Sequence, residues 1–426
     1  MYYLNLSYIH DRYLQLWTRR ILEIAMPILN PPTLSGMPAN IAGILPLSAL
    51  IDFTDAERTL HSYQLSGRGL IWNWVITPAC ARLLISTDST RVCCLDQSGA
   101  VSILHCMDGR WGDAYPCSIP STVRTCMEVA IYRKFELSDG SVPGGGGDRP
   151  QHLRIIRVSV TQTKGSGTIF GDRIIKLGSN WFIVSVSGWV VFLATLVAAV
   201  LAGLYIAASY LIVLLLTGVV VRFSHGHRAR RITKQEPSPY RRLVVATDNL
   251  NGDEWTAFIG PSWLVNPLLN KPLYQIDPPT QLAQFWLLLV LRILIVLQWG
   301  LTVVACGYQD WNAFVVFAWI ALCAWISSVY GEHASVKSWL RSNALQLERA
   351  EVVLSCRRSM LSLLVALNPD VGETSTQWIN PILAPSKNRT EWEVALKGCL
   401  EKEGWEKRIQ ACLVCGTYYL VHPCCQ

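Results

Sequence analysis

The longest apolar tract of the chain runs from Trp181 to Val221 and holds 41 residues without a charged residue or a proline. As one helix it would be about 60 Å long, about twice the thickness of a hydrocarbon core. Basic residues flank the tract on both sides: Arg173 and Lys176 before it, and Arg222, Arg228, Arg230 and Arg231 after it. Because Lys and Arg near span ends stay cytoplasmic, the pattern predicts two spans that turn back near Gly203, with one long span as the alternative.

A second pair of apolar tracts follows, over Phe285–Cys306 and Trp311–Tyr330. The connection between them, residues 307–310, contains no basic residue, whereas Lys337 and Arg341 follow the second tract. This distribution predicts another hairpin with its turn on the non-cytoplasmic side. Core helices of soluble proteins rarely contain such long apolar runs.

The predicted fold class is an α-helical integral membrane protein with about four spans in two hairpins. A small cytosolic β-rich domain precedes the membrane, because short β-favouring runs alternate with turn-type clusters there. A long helix is predicted over Trp339–Leu367 from apolar residues at three- and four-residue spacing. The predicted organisation is an N-terminal amphipathic helix and loop (1–67), an antiparallel β-rich soluble domain (68–180), a two-span hairpin (181–222), a basic and Asn/Gly/Trp-rich cytosolic segment (223–282), a second two-span hairpin (283–330), and C-terminal cytosolic helices with a Cys-rich tail (331–426).

Composition supports a membrane protein and excludes two other classes. Charged residues make up 16% of the 426 residues and hydrophobic residues 51%, whereas soluble chains carry about 25% charged residues. A disordered chain or a nucleic-acid-coating protein would need more charge than the net +7 found here. We therefore expect the lipid bilayer as a partner, no nucleic acid, and both termini in the cytoplasm.

Two polar residues lie inside the third predicted span. An arginine within a membrane is costly unless it is paired or reaches the interface, so Arg292 is a functional candidate by default. Gln298, further along the same tract, could line a polar interior together with it. The alternative is that Arg292 extends its side chain to the cytoplasmic interface.

Basic residues after the first hairpin favour contact with anionic lipid. Arg228, Arg230 and Arg231 form a patch that would face lipid headgroups, each adding about 1 kcal/mol of attraction. Asn5 and Asn388 match the glycosylation pattern, which is relevant only if they are lumenal. The first six cysteines, Cys80 to Cys126, should be reduced if their domain is cytosolic and could form disulfides if it is lumenal.

The carboxyl-terminal tail contains a cluster of metal-ligating residue types. Cys412, Cys415, His422 and Cys424 supply the four Cys or His ligands that zinc prefers, although their spacing differs from the usual patterns. Ordinary reduced thiols and palmitoylated cysteines are the alternatives. We expect no cofactor, because the sequence contains no H-E-x-x-H, no G-x-S-x-G and no Walker A motif.

Two stretches carry a resemblance to known proteins: DNLNGDEWTAFIGPSWLVNPLLNKPL at 248–273 and QDWNAFVVFAWIALCAW at 309–325. Both resemble a group of uncharacterised multi-spanning membrane proteins of filamentous fungi, over roughly residues 170–400. The resemblance implies an accessory role beside a secondary-metabolite pathway and supplies no catalytic residues.

The leading hypothesis is a non-enzymatic membrane scaffold or accessory protein that binds protein partners or a second copy of itself. The alternatives are a transporter or exporter of a small molecule and a membrane-bound biosynthetic enzyme. Asp248, Asp253 and Glu254 form the acidic cluster that the enzyme hypothesis would use.

Overall fold

The computed structural model describes residues 31–52, 56–67, 69–85, 93–97, 103–134, 150–161, 179–225, 229–275, 280–354, 356–369, 376–401, 407, 409–413 and 415. The predicted amphipathic helix within residues 1–30 lies outside this set. The helices are α1 (Met37–Ala42), α2 (Leu45–Asp52), α3 (Ala56–Ser66), α4 (Pro78–Ile85), α5 (Cys94–Gln97), α6 (Pro120–Val129), α7 (Ser179–Leu201), α8 (Tyr205–His225), α9 (Ser262–Asn270), α10 (Gln281–Tyr308), α11 (Trp311–Ile326), α12 (Glu332–Ser342), α13 (Arg357–Leu367) and α14 (Lys387–Leu400), with a π-helical turn at Ser327–Gly331 and a 3-10 turn at Gln377–Ile379.

Four of these helices, α7, α8, α10 and α11, are long and apolar enough to cross a membrane. The prediction that the 41-residue tract forms two helices is confirmed: α7 ends at Leu201, α8 begins at Tyr205, and Gly203 turns the chain with φ +69°. The second pair turns at Gln309, whose φ of 52° is left-handed, and the Asp310 side chain caps α11 by accepting a hydrogen bond from the Asn312 amide.

A seven-stranded mixed sheet forms the rest of the scaffold, with strand order β2-β1-β5-β6-β4-β7-β3. Its strands are β1 (His105–Asp108), β2 (Ala114–Pro116), β3 (Ile131–Tyr132), β4 (Gln151–Val160), β5 (Arg241–Thr247), β6 (Glu254–Pro261) and β7 (Leu345–Leu354). Four strands precede the first apolar pair, two lie between the pairs, and one follows the second pair. The segments before, between and after the two apolar pairs therefore meet in one sheet.

The sheet corrects the prediction of a separate antiparallel domain over 68–180. Strand β4 is parallel to β6 of the next segment and antiparallel to β7 of the last one. Within 68–180, the β-favouring run at residues 81–85 belongs to α4, because tertiary packing overrides local β-propensity. The predicted helix over Trp339–Leu367 is also wrong, since the chain there forms α12, β7 and α13.

Helices cover both faces of the sheet. One face packs against α6, α9 and α12 through a cluster that includes Val244 and Phe258. The other face packs against α13 and α14 around Trp255 and Trp392. Alternate side chains of β1, β4, β5, β6 and β7 enter the two layers, as the two-residue period of a strand requires.

A buried ion pair joins strands from different segments. Asp108 of β1 is 2% exposed and accepts hydrogen bonds from Nε and Nη2 of Arg242 on β5, both at 3.0 Å. Two parallel hydrogen bonds between guanidinium and carboxylate fix direction as well as distance. This contact therefore sets the register between the segment before the first hairpin and the segment after it.

Candidate functional site

A non-helical segment between α3 and α4 inserts into the bundle of apolar helices. Trp72 is fully buried, and its ring centroid lies 6.1 Å from that of Trp319 on α11. Two glycines of the bundle leave room for the segment: a Cβ on Gly188 would lie 1.9 Å from the Trp72 ring, and one on Gly218 would lie 1.9 Å from the carbonyl oxygen of Ile71. Close approach of backbone to helix is thus possible only because these positions have no side chain.

Gln298 holds this inserted segment by its backbone. Its Oε1 accepts a hydrogen bond from the Ile76 amide at 3.0 Å, and its Nε2 donates to the Trp74 carbonyl at 3.0 Å. The neighbouring Trp299 donates from Nε1 to the Ile76 carbonyl at 2.9 Å. Irregular backbone that is buried inside a bundle of apolar helices is stable only where its polar groups have hydrogen-bond partners in the protein. Gln298 supplies two of these partners.

One hypothesis from the sequence was that Arg292 and Gln298 line a shared polar interior. The structure does not place them together. Gln298 is fully buried, whereas Arg292 lies on the exposed outer face of α10. Helix α10 has 28 residues and is about 42 Å long, so it extends about 12 Å beyond a hydrocarbon core of about 30 Å. If Tyr308 marks the far boundary, Arg292 lies within one turn of the sheet-side boundary and can reach it.

The amino-terminal described residues start at the other end of the bundle, far from the sheet. The carbonyl of Pro32 accepts a hydrogen bond from Trp311 Nε1 at 2.8 Å, and Trp311 begins α11 at the turn that is farthest from the sheet. A Cβ on Gly43 would lie 3.1 Å from the Gln309 side chain at the same turn. Further along, Leu50 packs in the cluster that contains Trp319. The chain therefore runs along α10 and α11 towards the sheet.

A second polar feature lies where α3 meets the soluble layer. The structure brings His61, Cys93 and Asp96 together, with one ligand atom of each within 4.8 Å of the others. His61 and Cys93 are each 1% exposed. Asp96 Oδ1 accepts from the amides of Ser121 and Thr122 at 2.8 and 3.1 Å, so it caps the start of α6. His61 comes from α3, whereas Cys93 and Asp96 lie together at α5, and no motif links the three residues in the sequence.

The protonation of this cluster follows from its burial. Burial lowers the pKa of His61 below its usual value, with Asp96 opposing and Arg230 reinforcing the shift. Burial raises the pKa of the Cys93 thiol to about 12. At neutral pH the imidazole is therefore uncharged and the thiol keeps its proton in the metal-free protein.

The predicted tail cluster is described only in part. Cys412 and Cys415 are buried in the layer around Trp392, while His422 and Cys424 lie outside the described residues. Burial, followed by the neighbouring Cys399, raises the pKa of Cys415 to about 12. Both described cysteines thus pack in the core of the layer.

The basic patch and the acidic loop differ from their predicted roles. Arg230 is 1% exposed and cannot face lipid, and its carbonyl accepts from Trp339 Nε1 at 2.7 Å. Arg231 forms a backbone bridge to Tyr274, and Arg228 lies outside the described residues.

In the acidic loop Asp248 pairs with Arg124 at 2.7 Å and Glu254 pairs with Arg154 at 3.3 Å, while the Asp253 carbonyl accepts from the His152 amide. Two of the three acidic side chains are thus engaged in surface ion pairs.

The two glycosylation patterns belong to different regions. Asn388 is exposed in the first turn of α14, on the sheet side of the bundle. Asn5 lies outside the described residues.

The twelve cysteines within the described ranges are present as thiols.

No protein-family model matches this chain, and no curated protein and no solved structure is significantly similar to it. These comparisons give no support to the resemblance to fungal membrane proteins or to a biosynthetic pathway.

Sequence reasoning missed both the inserted segment and the His61 cluster. The segment carries a usable signal: Leu70 to Ile76 is a seven-residue apolar run, interrupted by Asn73, between Gly69 and Pro78. It is too short to span a bilayer and too apolar for a surface loop, which together indicate a buried insertion. The cluster carries no such signal, because its ligands are 32 and 3 residues apart in an ordinary sequence context.

Proposed function

We propose that this chain is a multi-pass integral membrane protein that presents a folded α/β domain on the cytosolic face as a non-enzymatic scaffold. The observation that carries the proposal is the sheet, whose strands come from before, between and after the two apolar helix pairs. Each pair must leave and return on the same side for these strands to meet.

The outer surface of the bundle supports insertion in lipid. Only 17% to 44% of the residues in each apolar window are buried inside the protein, and the others are partly or fully exposed. Exposed apolar side chains occur on all four long helices, for example Val190, Leu216, Ile293 and Trp325. An exposed apolar surface that extends over all four long helices is unfavourable in water. The same surface is favourable in contact with the hydrocarbon of a bilayer.

Charge supports the orientation. The far connections, residues 202–204 and 309–310, contain no Lys or Arg. The sheet-side ends carry Arg222 at the end of α8, Arg241 and Arg242 on β5, and Lys337 and Arg341 on α12. Basic residues close to span ends stay cytoplasmic, which supports a cytosolic location for the sheet.

The amino-terminal end of the described chain favours a revision of the predicted topology. Pro32 lies at the far turn, and Met37, Ile41, Ile44, Leu47 and Ile51 expose an apolar face along α1 and α2. We propose that residues 31–52 cross the membrane as a broken helix beside α10 and α11. Pro31 and Pro32 then lie on the side opposite the sheet, which replaces the prediction that both termini share the cytosol.

Glycosylation in a eukaryotic host tests this topology. We expect one glycan, lost in Asn5→Gln and retained in the matched control Asn388→Gln. A glycan at Asn388 would place the sheet in the lumen and overturn the orientation. If neither site is modified, a membrane-impermeant thiol probe decides, since Ser7→Cys and Ser386→Cys should be labelled from opposite sides; labelling of both from one side contradicts the crossing.

Photo-crosslinking in cells tests the scaffold. Trp111 is 64% exposed beside the Trp378 turn, in the layer that the sheet separates from the bundle. A crosslinking amino acid at Trp111 or at Val394 of α14 should yield discrete protein adducts. The control position Ile293, on the outer face of α10, should yield lipid adducts. Absence of protein adducts at both domain positions would refute the scaffold hypothesis.

A further inference from the structure

The hydrogen bonds around Thr122 assign the proton on His61. Thr122 Oγ1 donates to Asp96 Oδ2 at 2.7 Å and also contacts His61 Nε2 at 3.2 Å. A hydroxyl group has one hydrogen, and that hydrogen is used on the carboxylate. Thr122 must therefore accept from Nε2–H, so the neutral imidazole carries its lone pair on Nδ1.

That lone pair has no hydrogen-bond partner. Nδ1 of His61 is buried and makes no hydrogen bond, and an unpaired buried acceptor is costly. A cation bound at Nδ1 would satisfy it.

We propose that His61, Cys93 and Asp96 bind a zinc ion. A nitrogen, a sulfur and a carboxylate oxygen form a ligand set that zinc accepts in tetrahedral sites, whereas Ca²⁺ and Mg²⁺ require oxygen ligands. Histidines that bind zinc donate their other N–H to a fixed acceptor, and Thr122, held by Asp96, is that acceptor. The fourth position is left for water.

The geometry and charge are compatible with the ion. Tetrahedral zinc places its ligand atoms roughly 3.3–3.8 Å apart at the usual bond lengths, and one potential ligand atom of each of the three residues already lies within 4.8 Å of the others. On binding, the Cys93 thiol loses one proton to solvent and its sulfur forms the Zn–S bond. Zinc with one thiolate and one carboxylate carries no net charge, so the nearby buried Arg230 is not strongly repelled.

The site would join three segments of the chain. His61 lies on α3, which contributes Leu60 and Tyr63 to the cluster with α8 and α10. Cys93 and Asp96 lie at α5, and Asp96 caps α6 of the soluble layer. Zinc here would fix the membrane-side helix to the sheet domain.

Metal analysis of the full-length protein in detergent tests the proposal. We expect about one zinc per chain, falling to less than about a tenth in Cys93→Ser and in His61→Ala. Cys126→Ser, a buried thiol one turn from Thr122 on α6, should keep the zinc, as should Cys412→Ser. Loss of zinc in Cys412→Ser with retention in Cys93→Ser would assign the metal to the tail and overturn the proposal.

Cobalt substitution keeps the test decisive if the ligand variants fail to fold. The wild-type protein with Co²⁺ should show a sulfur-to-cobalt charge-transfer band that persists in Cys412→Ser, and zinc should protect Cys93 from alkylation. Wild-type protein that takes up neither metal, or a Cys93 thiol that reacts equally with and without zinc, excludes the site.

Discussion

Replacing Gly218 by alanine is expected to lower the free energy of unfolding by about 3 kcal/mol, as overpacking a close-packed core does. The new Cβ would lie 1.9 Å from the carbonyl oxygen of Ile71 and 2.6 Å from the Trp74 ring. The first contact is backbone, and Gln298 holds that backbone through Trp74 and Ile76. The segment cannot move aside as a flexible side chain would.

Two other glycines provide matched controls for this substitution. Gly300→Ala adds a Cβ to open space on α10, so stability should stay unchanged or rise by up to about 1 kcal/mol from helix propensity. Gly188→Ala should lie between the two, because its contact is the Trp72 side chain. Thermal denaturation of the three variants in the same detergent measures the order. Equal midpoints for the Gly218 and Gly300 variants would show that the segment does not pack against α8.

Replacing Gln298 by methionine is expected to cost about 2–4 kcal/mol. The change preserves volume but leaves the Ile76 amide and the Trp74 carbonyl without their partner, and each unsatisfied buried group costs about 1–3 kcal/mol. Trp299 still accounts for the Ile76 carbonyl, which limits the loss. Hydrogen exchange of the peptide covering residues 70–77 should accelerate along with the drop in stability.

Thr302→Val is the control for the Gln298 substitution. Thr302 is 1% exposed one turn further along α10, and its hydroxyl donates to the carbonyl of Gln298 within the same helix. Removing that hydroxyl leaves every polar group of the inserted segment with its partner. The hydrogen exchange of residues 70–77 should therefore not change. Unaltered exchange in Gln298→Met as well would mean that the clamp does not hold the segment.

The apolar helices could be predicted from sequence because their signal is local. A run of about 20 uncharged residues specifies a span wherever the rest of the chain goes, and Gly203 and Asp310 mark the turns. The broken helix at residues 31–52 gives no such run, since Pro38, Asn40, Gly43 and Pro46 interrupt it. What distinguishes it is its packing against α10 and α11, on which the proposal of a fifth crossing rests.

The sheet could not be predicted because its pairing is long-range. Strand β7 contains two apolar pairs at two-residue spacing, Leu345 with Leu347 and Val352 with Leu354, yet Val353, Cys356 and Met360 also fit a helical period. Pairing with the free edge of β4, almost 200 residues earlier in the chain, selects the strand over the helix. The His61 cluster depends on the same convergence, because α3, α5 and α6 meet only after the layer has formed.

The position of β7 has a consequence for biosynthesis. The ribosome releases β4 long before either hairpin exists, and β6, which pairs with one edge of β4, emerges only after the first hairpin has been made. The other edge of β4 stays exposed until the second hairpin has entered the bilayer and β7 has returned. With the proposed topology, a nascent chain that stalls in the translocation machinery would display an unpaired strand to cytosolic chaperones, and a correctly inserted chain would conceal it.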